Sequence, residues 1–164
     1  MTKAPQQRPI TWLHGRNGSH MAWPELLPAL STLSYVDARL DVFPGEVGRQ
    51  FRFLVDRYSF TALETGDKCC VGYAAPPWTI WIIIDGPKRT VETYICHDDG
   101  SSRLRLPLDL LLRYRGVPAQ LPRTSAQTAR AVIRSVGLQA KALASVLPGL
   151  IASGGRQALR DAGA

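Results

Sequence analysis

The sequence predicts an α+β fold in which helices precede and follow a three-stranded antiparallel meander. Two features lead to this reading. A segment with apolar residues at helical spacing precedes three runs of strand length that are rich in β-branched and aromatic residues. Those runs are separated only by Pro76-Pro77 and by Asp85-Gly86-Pro87-Lys88, loops far too short for a parallel crossover. The chain has 164 residues, close to the size of one compact domain and enough to bury a core. The expected organisation is a flexible amino-terminal arm over 1–22, one α+β unit over 23–153 and a frayed tail over 154–164. Within the arm, Gly18-Ser19-His20-Met21 has the look of a vector-derived cleavage scar, although no histidine tag precedes it, and a true start at Met21 is the alternative.

A short helix is expected over 24–33, because Pro24 suits a first helical position and Leu26, Leu27, Leu30 and Leu33 share one face. A longer helix follows. Pro44 and Glu46 suit its first turn, and Val47, Phe51, Leu54, Val55 and Tyr58 recur at helical intervals. The strands are then Cys69–Ala75, Thr79–Ile84 and Thr90–His97. A helix over 107–115 starts at Pro107, buries Leu108, Leu111 and Leu112, and stops at Gly116. In the last helix, Thr124 and Gln127 have capping-box spacing, and Val132, Ile133, Val136, Ala140, Leu143 and Leu147 form the apolar stripe, with Pro148-Gly149 expected to break it. Its predecessors Val47, Phe51, Leu54 and Val55 are expected to face Ile80, Ile82 and Ile84.

Strand parity identifies a candidate binding surface. If Ile84 pairs with Arg89, Ile82 lies opposite Val91 and Ile80 opposite Thr93, and that face seats the helices. The other face then carries Thr79, Trp81 and Ile83 beside Glu92, Tyr94 and Cys96. Large apolar and polar groups mixed in this way suit a covered face better than a solvated one. Trp81, Ile83, Glu92 and Tyr94 are therefore the expected partner-binding residues; the alternative is that the amino-terminal segment or the tail of the chain itself packs there, and a bulge or one-residue slip would exchange the faces.

The net charge is +7, and it is unevenly distributed. Residues 1–112 hold 12 Lys+Arg and 12 Asp+Glu, whereas residues 113–164 hold 8 Lys+Arg and only Asp161. Arg113, Arg115, Arg123, Arg130, Arg134 and Lys141 are thus a candidate basic surface, either for phosphates or simply a solvated helix face. Tyr114 is the lone aromatic among them, and neither an RNA-recognition sheet nor a helix-turn-helix signature is present.

Catalytic and cofactor signals are lacking. Cys96 and His97 are neighbours on a strand and point to opposite faces, so they cannot act as a nucleophile and its base. The cysteines and His14, His20 and His97 have no chelating spacing, Asp98-Asp99-Gly100 reads as a turn, and the glycines lack phosphate-binding context. No catalytic residue, metal ligand or cofactor is expected. Three cysteines, two of them adjacent, point to reduced thiols in a cytoplasm. No apolar stretch reaches the roughly eighteen residues of a membrane span, and the longest, Trp78 to Ile84, has strand length.

The run Phe51-Arg52-Phe53-Leu54-Val55-Asp56-Arg57-Tyr58-Ser59-Phe60, the hairpin after it, and Leu108-Asp109-Leu110-Leu111-Leu112-Arg113-Tyr114-Arg115-Gly116 resemble small bacterial proteins of the immunity type, encoded beside polymorphic toxins. The resemblance extends from Glu46 to Gly116. It implies a protein that acts by binding another chain, a cognate toxin, rather than by catalysis. Many neutralising partners of nucleases are acidic, and this chain is basic. The expected function is a non-enzymatic protein-interaction module whose partner is such a toxin or a second copy. A basic nucleic-acid-associated accessory protein is the alternative.

Overall fold

The computed structural model describes residues 38–100, 102–116, 125–153 and 155–163. Among them, helices α1 (Ala38–Gln50) and α2 (Arg52–Tyr58) lead into five strands: β1 (Thr61–Leu63), β2 (Cys70–Ala75), β3 (Trp78–Asp85), β4 (Thr90–Asp98) and β5 (Arg103–Pro107). Helices α3 (Leu108–Tyr114), α4 (Ala129–Ala152) and α5 (Arg156–Gly163) follow. The strands form one antiparallel sheet in sequential order, so the fold is α+β as expected. The expected meander is its centre, with β1 and β5 added at the edges. The expected arm over 1–22, the helix over 24–33 and the cap at Thr124 lie outside the described residues.

The helix expected from Pro44 to Tyr58 is divided. α1 begins six residues earlier, so Pro44 lies inside it, and Phe51 stands between the two helices with φ −95° and ψ 9°. Phe43, Val47, Phe51 and Leu54 are fully buried, but Val55 is 45% exposed. The interruption restarts the helical phase, which turns Val55 outward, while Tyr58 still packs against the core as expected. Ser59, in the left-handed region at φ 57°, closes α2, and Phe60 N–H also bonds the Leu54 carbonyl at 3.1 Å. Phe60 is then tucked into the core.

In the central hairpin Ile84 pairs with Val91, Ile82 with Thr93 and Ile80 with Ile95. The expected register is therefore two residues off, because Asp85 pairs with Thr90 and the turn comprises Gly86 to Arg89. Asp85 accepts from Lys88 N–H at 3.0 Å, and Arg89 takes the positive φ of 54° that the turn requires. A two-residue shift preserves parity, so each side chain keeps its expected face. Tyr73, Ile80, Ile82, Ile84, Val91 and Ile95 join the helices in one core, at the 25 cal/mol per Å² or so that buried apolar surface contributes.

α4 is capped by Thr128, whose hydroxyl accepts from Ala131 N–H at 3.1 Å. Val132, Val136, Ala140, Leu143 and Leu147 are buried as expected, whereas Ile133 is 41% exposed at the stripe's edge. Pro148-Gly149 does not break the helix, which continues to Ala152. Leu147 and Leu150 flank Pro148 and are both fully buried, so core packing holds the helix across the carbonyl that proline leaves unbonded. By length and composition α4 is apolar enough to cross a membrane, although no unbroken apolar run spans it; 44% of its most apolar window is buried against the rest of the chain.

α3 buries Leu108, Leu111 and Leu112, and Gly116 follows it at φ 64°. In place of the expected frayed tail, α5 is a helix with Leu159 buried. Gly155 starts it at φ 54°, where an added Cβ would lie 2.0 Å from the Trp78 ring. Arg156 pairs with Asp99 at 2.6 Å and fastens α5 to the turn after β4.

Candidate interaction surface

Antiparallel pairing organises the sheet face opposite the helices into rows. Gly72, Trp81, Tyr94 and Pro107 form one row across β2 to β5, and Cys70, Ile83 and Glu92 form the next. Trp81 and Tyr94 are thus direct cross-strand partners, as are Ile83 and Glu92. All four residues singled out from the sequence lie together on this face.

Their neighbours fix them in place. Trp81 lies flat over Gly72, so close that a Cβ there would be 2.5 Å from the indole. The Arg105 guanidinium sits 3.6 Å from the centroid of the Tyr94 ring, a cation–π arrangement. Tyr94 Oη–H donates to Glu92, which also accepts from Thr90 Oγ1 at 3.2 Å and lies 4.0 Å from Lys88 Nζ.

This layer is partly exposed and lies outside the helix-covered cluster. Ile83 and Cys70 are 8% and 7% exposed, and Trp81, Tyr94, Cys96 and Arg105 are half-buried. None of the six belongs to the helix-covered hydrophobic cluster. Burial pushes the Cys70 thiol up to about 12, with the Asp67 charge adding to it, and the Cys96 thiol up to about 11. Burial and the Glu92 carboxylate raise the Tyr94 phenol, while burial lowers Arg105.

The arrangement lacks an activated nucleophile, because thiols held this high remain protonated near neutrality. Cys96 and His97 do lie on opposite faces. His97 is in the core, its ring centroid 4.8 Å from that of Trp78 and edge-on to it. Asp98 pairs with Arg103 and Asp99 with Arg156, so arginines occupy the carboxylates of that turn. Among the described residues no three His, Cys, Asp or Glu side chains cluster to hold a metal.

The candidate basic residues divide into separate settings. Arg113 lies 3.9 Å from Asp109 within α3, and Arg115 packs against Gly149 of α4. Arg130, Arg134 and Lys141 are exposed along α4, and Arg123 lies outside the described residues. Sequence reasoning missed Cys70, Gly72 and Arg105 as parts of the sheet face. The alternation in Arg103-Leu104-Arg105-Leu106-Pro107 was the available signal for β5, since it sends Leu106 to the core and Arg105 to the other side.

Comparison with protein-family models, with curated proteins and with solved structures finds no match to this chain.

Proposed function

We propose that the protein is a non-enzymatic interaction module that binds another protein chain through the sheet face bearing Trp81, Ile83, Glu92 and Tyr94. The toxin-neutralising role of immunity-type proteins is the specific form of this reading. One observation carries it: large aromatic and apolar groups are gathered and oriented on a face that is distinct from the hydrophobic core. Trp and Tyr are frequent binding anchors, because they bury much area with few rotatable bonds. Here Gly72, Arg105 and Glu92 restrain them beforehand, which lowers the entropy lost on binding. The raised thiols and three free cysteines suit a reducing cytoplasm, and α4 is taken as a core helix rather than a membrane span.

The test is titration of the protein with the product of the adjacent reading frame. Tight binding is expected, and Trp81→Ala should weaken it by about 2 kcal/mol or more, about thirtyfold in Kd. Absence of binding, together with sedimentation showing a dimer that Trp81→Ala dissociates, would replace the toxin with a second copy as the partner.

A further inference from the structure

Independently of the sheet face, we infer that the outward face of α4 is a docking strip for the phosphate backbone of double-stranded nucleic acid. Arg130, Arg134 and Lys141 are all exposed, and the twenty-four residues of α4 contain no acidic side chain. At 3.6 residues per turn the three cations fall within about 40° of one another, spaced about 6 and 10 Å along the axis. They form a single line rather than a scatter.

Among the described residues, several other cations are paired. Arg49, Arg52, Lys68, Arg103, Arg113 and Arg156 each lie within 4.0 Å of a carboxylate. Among the described residues, Arg130, Arg134 and Lys141 have neither an ion pair nor a side-chain hydrogen bond. The small residues Gly137, Ala144 and Ser145 lie between and beyond them, and the Gln50 side chain of α1 flanks the strip at Gly137, 3.6 Å from where a Cβ there would stand.

The chemistry of the strip selects its ligand. A second copy would bring like charge against like. An interfacial helix inserts an apolar face into lipid, but here Val132, Val136, Leu143, Leu147 and Leu150 are fully buried in the core, leaving Ile133, Leu138 and Ile151 partly outward. Single-stranded nucleic acid is held by stacking on aromatic rings, and α4 has none. A regular array of phosphates needs only aligned cations, and it is bound without regard to base sequence.

The experiment is fluorescence anisotropy of a labelled mixed-sequence duplex with the full chain, comparing wild type with Arg130→Gln/Arg134→Gln/Lys141→Gln. A charge-matched control is Arg52→Gln/Arg57→Gln/Lys68→Gln, all exposed positions elsewhere, and urea unfolding verifies that both variants fold. Three phosphate contacts predict a wild-type affinity that falls about 40-fold between about 50 and 200 mM salt. The α4 variant should lose at least about tenfold at the lower salt and the control less than about threefold. Equal losses in the two variants, no duplex binding at low salt, or tighter binding to single strands or phosphatidylserine vesicles would each overturn the inference.

Discussion

Cys70 illustrates how a side chain on the second sheet face is coupled to the stability of the whole chain. Its thiol is held up to about 12, chiefly by burial, whereas an unfolded thiol titrates near its ordinary value of 9.0. Above that lower value the unfolded chain loses a proton that the folded chain retains, so ionisation favours unfolding. The contribution is complete below pH 9 and is lost as pH rises toward 12. At pH 10 the loss is about 1 kcal/mol from this group alone. Urea unfolding under reducing conditions should therefore show wild type weakening more between pH 8 and 10 than Cys70→Ala does, and equal slopes would place Cys70 in contact with water. Phe51 makes the corresponding point in the core. It is fully buried between two helices and stacks with Phe53 and Tyr73, so Phe51→Ala should cost about 3–5 kcal/mol in the same assay. An unchanged unfolding midpoint would contradict its burial.

Among the elements, the legible ones were those whose pattern is long or whose ends carry punctuation. β2, β3 and β4 follow from β-branched runs between short turns, and α3 follows from Pro107, its leucines and Gly116. β1 has only three residues, too few for alternation to register, and β5 was obscured because Pro107 both ends the strand and precedes the helix. The continuity of α4 across Pro148 and the helical state of α5 depend on tertiary burial of Leu147, Leu150 and Leu159, which local propensity does not encode. The cross-strand face was legible despite the wrong register, because only parity decides it. Its depth of burial was not, since that depends on Arg105 and Gly72 arriving from flanking strands. The junction before α5 offers a direct check. Gly155→Ala puts a Cβ against Trp78 and Leu150 at a left-handed φ, combining about 1–2 kcal/mol of backbone cost with steric displacement. Thermal unfolding should fall accordingly, and a stability equal to wild type would show that α5 is not docked on Trp78.

On the scale of the whole molecule, the sheet divides two kinds of burial. One face is covered by the helices, α5 included through Leu159, and forms the core, and the other carries a restrained aromatic and polar layer outside that core. The cations of α4 lie on a third surface, on the far side of that helix from its core stripe. The two proposed modes of binding, through the sheet face and through α4, are therefore separable by mutation. The most direct measurement pairs urea unfolding of Trp81→Ala with its affinity for the proposed partner, a cognate toxin or a second copy of the chain. The account predicts cooperative unfolding within about 1 kcal/mol of wild type and an affinity reduced by about 2 kcal/mol or more. A loss of about 3–5 kcal/mol in folding, of the size expected when a core aromatic is truncated, would contradict it and make this face a second side of the core.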